Sequence, residues 1–203
     1  MKRLNIENPF FEFMDDFADL VLLNIVWLLT SIPILTFGAS STALCRIMLR
    51  KARGTCNSPV KEYFAAFRED FGKSTKVGIG FFVSGIILII DLMYVGQSWN
   101  VWGIAIGVLC FIWFLLVSYT FPVMAQFDNT IRNTLKNAFF MAVRHFPYTI
   151  GILILIFIPV FCFLAGGAIA TVTMPFYFVI GISLTVRINT AMYQNIFRRY
   201  MPE

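Results

Sequence analysis

The chain alternates between long stretches without a formal charge and short stretches dense in Lys and Arg. Twenty-six uncharged residues separate Asp19 from Arg46, 36 run from Leu92 to Phe127, and 42 from His145 to Val186. A membrane-crossing helix needs about 20 mostly apolar residues, so the last run is long enough for two. Five apolar segments are predicted: 20–45, 77–97, 101–125, 147–166 and 168–190. Two shorter segments have an amphipathic rather than a uniformly apolar pattern. In 58–71, Val60, Phe64, Phe67 and Phe71 fall at spacings of four, three and four after a Ser58–Pro59 start signal. A similar element spans 129–146, and each leads into a pair of apolar segments. Phe64 and Phe71 match Phe139 and Phe146 at one offset, a hint of duplication. Before all of these, 8–19 carries Phe10, Phe13, Met14 and Phe17 on one helical stripe, with Glu12, Asp15, Asp16 and Asp19 largely elsewhere. Asn8 and Pro9 suit the N-cap and first helical position, and the element reads as an interfacial helix.

Composition agrees with that pattern. The 203 residues are 59% hydrophobic and 13% charged, against about 45–50% and about 25% in soluble domains. The chain is expected to be a single all-α integral membrane domain, a polytopic helical bundle of about five spans in a bacterial inner membrane. A cleaved signal peptide is not expected, because the first apolar run follows an acidic stretch and is too long. The net charge of +5 is concentrated beside the spans, so it reads as a topology signal and not as a nucleic-acid footprint. Eight Lys and Arg lie in 46–76, three in 126–146 and three in the tail, while the connections near 91–100 and 166–175 hold none. The positive-inside rule places the three basic regions in the cytoplasm. Five spans then put the N-terminus outside.

The segment 20–45 complicates that count. Pro33 removes a helical N–H and clashes with the preceding turn, and the freed backbone groups survive in a membrane only where protein or a wet cavity supplies partners. Ser31, Thr36, Ser40, Ser41 and Thr42 are suitable partners, with Gly38, Ser41 and Thr42 expected at a close helix contact. If Pro33 to Gly38 turns the chain, the segment becomes a re-entrant hairpin and the N-terminus stays cytoplasmic.

Candidate chemistry is sparse. There is one histidine, His145, at a membrane boundary, and no phosphate loop, nucleophile elbow or histidine–carboxylate cluster is recognisable. Cys45, Cys56, Cys110 and Cys162 have no paired spacing and read as reduced packing residues. No cofactor, metal or catalysis is expected. Three intramembrane polar residues stand out because such groups are costly and often functional: Asp91, Arg187 and Asn189. Counting ~1.5 Å per residue from Lys76, Asp91 lies roughly 22 Å across, at the outer boundary. A solute or proton site is the alternative to an interfacial carboxylate there.

The runs "LLNIVWLLTSIPILTFGASSTALCRIMLRKARG" and "YFAAFREDFGKS" resemble the YesL family of small bacterial membrane proteins. The resemblance is carried by Asn24 and Trp27 in an L-N-x-x-W run, by Pro33, Thr36 and Gly38 in a Pro-x-x-T-x-G-A turn, and by Phe64, Phe67, Arg68 and Phe71. No catalytic or binding residues come with it. Genes of that family often stand beside those of carbohydrate ABC importers, so the resemblance implies an auxiliary subunit of a sugar importer in the lipid bilayer. The amphipathic helices are the expected docking elements for importer permeases, with Phe64, Phe67, Arg68 and Phe71 as candidate contacts. A stand-alone transporter or channel and a membrane adaptor for a sensor kinase or envelope assembly are the competing expectations.

Overall fold

The structure, a computed structural model, describes residues 9–95 and 101–201. Asn8 and the outer connection at 96–100 lie outside the described residues. Helix α1 (Pro9–Ser31) is followed by a 3-10 turn (Ile34–Thr36), α2 (Phe37–Ala52), α3 (Pro59–Glu69) and α4 (Phe71–Val95). Then come α5 (Val101–Gln126), α6 (Ile131–Arg144), α7 (Phe146–Ala165), α8 (Gly167–Phe176), a π turn (Tyr177–Gly181) and α9 (Ile182–Phe197). This is an all-α membrane bundle. The short amphipathic helix leading directly into a span occurs twice: Phe71 opens α4 one residue after α3, and Phe146 opens α7 one residue after α6.

Two expectations about the first apolar segment are corrected. Residues 8–19 and 20–45 are not an interfacial helix followed by a span: the acidic start and the first apolar half form the single helix α1. The chain then reverses at 32–36. Lys51, near the end of α2, pairs with Asp16 at 2.9 Å and Asp19 at 2.6 Å near the start of α1, while Trp27 and Phe37 meet edge to face at 5.8 Å at the other end. Only antiparallel arms satisfy both. The N-terminal arm therefore begins on the face that carries the basic loops, not on the opposite one. Among the described residues four helices are long and apolar enough to cross a membrane: α4, α5, α7, and α8 through α9 taken as one 31-residue unit. An even number of crossings puts both ends of the bundle on one face, in keeping with the hairpin.

The buried core occupies that same half of the molecule. One cluster joins Cys45, Leu49, Leu115, Tyr119, Ile152 and Tyr193, and a second joins Leu23, Leu44, Ile47, Met48 and Tyr63 around the hairpin. Helix α2 is the shared element, buried along most of its length. It approaches α4 closely because both helices carry glycine at the crossing. A Cβ on Gly38 would lie 2.1 Å from the Ser74 carbonyl oxygen, and one on Gly78 would lie 2.9 Å from the Gly38 Cα. At the far end, α7 and α8 are joined by Gly166 and Gly167 with φ of 65° and 55°, left-handed values that glycine adopts without strain.

Candidate functional site

The polar residues singled out by the sequence converge on the hairpin, where most of them satisfy backbone. Pro33 ends α1, and among the carbonyls left open at that end the one of Thr30 accepts from the Thr36 hydroxyl at 2.6 Å. The Thr36 hydroxyl also reaches the Pro33 carbonyl, at 2.8 Å. Thr30 bonds back to the Val26 carbonyl at 2.8 Å and shares a 2.7 Å hydrogen bond with the Tyr63 hydroxyl. Tyr63, fully buried on α3, also reaches the Ser40 carbonyl at 3.4 Å, so α3 is pinned to both arms of the hairpin beside its turn. Sequence reasoning missed Tyr63. Its signal was a lone phenol among the phenylalanines of α3, three residues after Val60 and four before Phe67. Ser40 and Thr42 satisfy themselves on the Thr36 and Gly38 carbonyls, and Ser41 is only partly buried.

Asn24 makes the most specific connection. Its side chain is inaccessible to solvent and is inserted into the backbone ladder of the last span. Nδ2 donates to the Phe178 carbonyl at 2.7 Å, and Oδ1 accepts from the Ser183 N–H at 2.9 Å. Those two backbone groups stand five residues apart, the spacing of one π-helical hydrogen bond. The amide bridges them in place of a direct bond. Ser183 returns the contact by donating from Oγ to the Leu20 carbonyl at 2.7 Å. Gly181 is required inside the turn, since a Cβ there would meet the Tyr177 ring at 2.4 Å. The same logic recurs at α5, where Pro122 cannot donate to the Ser118 carbonyl, and the buried Tyr193 hydroxyl does so instead at 2.7 Å. Tyr119 and Thr149, 2.8 Å apart, tie α5 to α7.

The remaining candidates are dispersed. Asp91 is partly exposed near the far end of α4, and Arg187 is partly buried on α9. No salt bridge joins them among the described residues. Asn189 is buried, and its Oδ1 has no partner. Of the docking candidates, Phe64, Arg68 and Phe71 are exposed, whereas Phe67 is partly buried and stacked on Tyr63 at 6.4 Å.

The basic face is an ion-pair lattice. Arg46 pairs with Glu69 at 2.8 Å and with Asp70, Arg50 with Glu62 at 3.1 Å, and Lys73 with Asp128 at 2.8 Å. Burial pushes the Asp70 carboxyl up, further than Arg46 pulls it down. Burial also tends to raise Glu62, but N–H donation from Asn57 and Ser58 and the Arg50 guanidinium outweigh it, and the net shift is downward. Burial and Glu62 together push the Cys56 thiol up to about 11, which leaves it an unreactive thiol. Burial, with Arg199 and Arg144 nearby, holds His145 below its ordinary value. It meets the Tyr200 hydroxyl at 3.2 Å. Among the described residues no three His, Cys, Asp or Glu side chains are grouped to hold a metal ion.

Residues 20–92, from the hairpin through α3 and most of α4, match the family described as "Protein of unknown function, DUF624". The chain is 27% identical over 139 residues to the uncharacterized protein YteU of Bacillus subtilis (strain 168), covering 65% of this chain and 63% of that one. It is also 27% identical over 128 residues to the uncharacterized protein YesL of the same organism, covering 61% of each. The likeness is to the YesL family. These matches span a little over six tenths of either relative's length. No solved structure matches the chain. The region that matches the family of unknown function takes in Asn24, the Pro33 break, the Gly38–Gly78 crossing and Tyr63, the parts that form and brace the hairpin.

Proposed function

We propose that the protein is a non-catalytic accessory subunit of a membrane assembly, with its basic face in the cytoplasm of a bacterial cell. One observation carries the reading. The buried polar groups that a transporter would expose to a solute are instead committed to backbone: Asn24 to Phe178 and Ser183, Tyr193 to Ser118, Thr149 to Ala142. Such bonds fix helices against one another and leave few donors for a solute. Exposed Phe64 and Phe71 beside Arg68 provide an apolar and cationic edge for a partner. The resemblance to YesL points to the permease subunits of a carbohydrate ABC importer as that partner, and the importer would supply the energy.

A second reading, an autonomous small-solute transporter, has one observation in its favour: the unpartnered Oδ1 of buried Asn189. Affinity purification from native membranes through a C-terminal tag, in mild detergent, separates the two. Near-stoichiometric permease subunits, lost with Phe64→Ser and Phe71→Ser, support the accessory role. Recovery of the chain alone, together with solute flux in liposomes that Asp91→Asn or Asn189→Ala removes, overturns it.

A further inference from the structure

A cavity of about 320 Å³ opens between the tip of the hairpin and the α4–α5 pair. Ser31, Ile34 and Phe37 line it from the hairpin, and Phe81, Trp113 and Phe121 from the spans. Its size falls within the range of ligand sites, roughly 300–1,000 Å³. Its lining is apolar except at one point: Ser31 Oγ is buried and has no hydrogen-bond partner. Elsewhere in the hairpin Thr30, Ser40 and Thr42 satisfy their hydroxyls on carbonyls four residues earlier. Ser74 and Thr75 are also unpartnered, but neither lines this cavity.

Depth narrows the choice of occupant. Lys73 pairs with Asp128, whose side chain is 94% exposed, so that end of α4 is in water. Gly78 and Phe82, which also line the cavity, lie about 8–14 Å further along α4 at ~1.5 Å per residue. The headgroup layer takes up roughly 5–8 Å of each leaflet, so the cavity begins where the ester linkages of a phospholipid meet its chains. Water is a poor fit, because it needs two to four polar partners and the lining offers one hydroxyl. A partner helix, about 10–12 Å across with its side chains, is too thick.

We propose that this cavity holds one acyl chain of a phospholipid, whose ester carbonyl accepts a hydrogen bond from Ser31 Oγ–H once rotation about χ1 turns that shielded hydroxyl into the cavity. The chain lies against Phe37, Phe81, Trp113 and Phe121, and the carbonyl supplies the acceptor that the protein does not. The inference requires a bilayer but not the accessory role.

Trp113 is the reporter. Full-length protein with Trp27→Phe, Trp99→Phe and Trp102→Phe is reconstituted in phosphatidylcholine containing a rising fraction of phosphatidylcholine brominated on its acyl chains. Trp113 fluorescence is expected to be quenched saturably at low mole fraction. A matched protein keeping only Trp102, which is 72% exposed, should follow random lipid contact. Val117→Phe, which narrows the cavity, should remove the saturable phase. Ser31→Ala should weaken it roughly fivefold, the equivalent of one neutral hydrogen bond, and should leave quenching by an oxygen-free brominated alkane unchanged. Quenching of Trp113 that tracks Trp102 overturns the site. Saturable quenching indifferent to Ser31→Ala overturns the ester contact, and displacement of the brominated phospholipid by a smaller amount of a long-chain alcohol overturns the phospholipid as occupant.

Discussion

The half of the bundle on the basic face is the less apolar in sequence and yet the more densely packed, and the half away from it differs in what holds it. In the basic half α2 is buried from Gly38 to Leu49 with few interruptions, and Asn24, Ser183, Thr149 and Tyr193 cross-link helices through backbone groups. In the far half α8 buries none of its residues, and Phe161, Leu164 and Val172 are more than 70% exposed. In lipid, burying one apolar side chain against another gains little, because acyl chains solvate it equally well. What fixes a membrane bundle is close backbone approach and hydrogen bonds with no competing water. Both devices are concentrated where the hairpin enters.

The sharpest way to break that asymmetry is at the α2–α4 crossing. Gly38→Leu forces side-chain atoms into the Ser74 carbonyl and the Gly78 backbone, neither of which can rotate away. The expected loss is about 3 kcal/mol or more, read as a lower midpoint of unfolding in sodium dodecyl sulfate. Next comes Asn24→Ala, which leaves the Phe178 carbonyl and Ser183 N–H unpaired inside the bundle. About 2–3 kcal/mol is expected. A result below about 0.5 kcal/mol would mean that the π turn closes on itself without the amide.

Lys51→Met tests the sense of the hairpin directly. It leaves Asp16 and Asp19 without their shared cation, whose side chain is only 9% exposed. We expect a loss of about 1–2 kcal/mol, between a surface pair and a buried one, with the Asp19 contact depending less on salt than the exposed Asp16 contact. A cysteine introduced at Phe13 should react with a membrane-impermeant maleimide from the same side as one at Arg68. Reaction from the opposite side would restore the continuous span across 20–45.

This pair also shows where reading the sequence stops. The spans were legible because charge is excluded from runs long enough to cross, and the break was legible because Pro33 cannot continue a helix. Whether the chain carries on or turns back after a break is not a local property. It is decided by Lys51 finding Asp16 and Asp19 across 35 and 32 residues, and by Asn24 finding Phe178 across 154. Asn24, Pro33 and Gly38 could be chosen as residue types without their partners being known. Tyr63 sits at stripe spacing on α3, so periodicity could not set it apart from the phenylalanines around it, and the π turn hides in a uniformly apolar run.

On the water-exposed side of the dense half, acid should weaken the contributions of Glu62 and His145, whereas Asp70, held high by burial, gives no such loss. Glu62 has a folded value below its unfolded one of about 4.3. Its contribution is therefore complete above the unfolded value and is lost as pH falls through the folded value. His145 is held low as well, but it is a base: the fold favours its neutral form. That contribution is complete above about 6.5 and declines as pH falls below it, before Glu62 begins to titrate. Two losses are expected in an acid titration of stability, the one from His145 setting in at the higher pH. His145→Gln should remove the first and Glu62→Gln the second.

The smallest effect is expected in the far half, and it bears on function. Phe161 on α7 is 77% exposed, so Phe161→Ala exchanges contacts with lipid for other contacts with lipid and should change the isolated protein by less than about 0.5 kcal/mol. The same substitution measured in native membranes has two outcomes. If stability and abundance remain unchanged, Phe161 faces only acyl chains, and the proposed docking edge at α3 keeps its place. If abundance falls while the purified chain is unaffected, a second membrane protein covers α7 in the cell, because only a partner could give a lipid-facing phenylalanine something to lose.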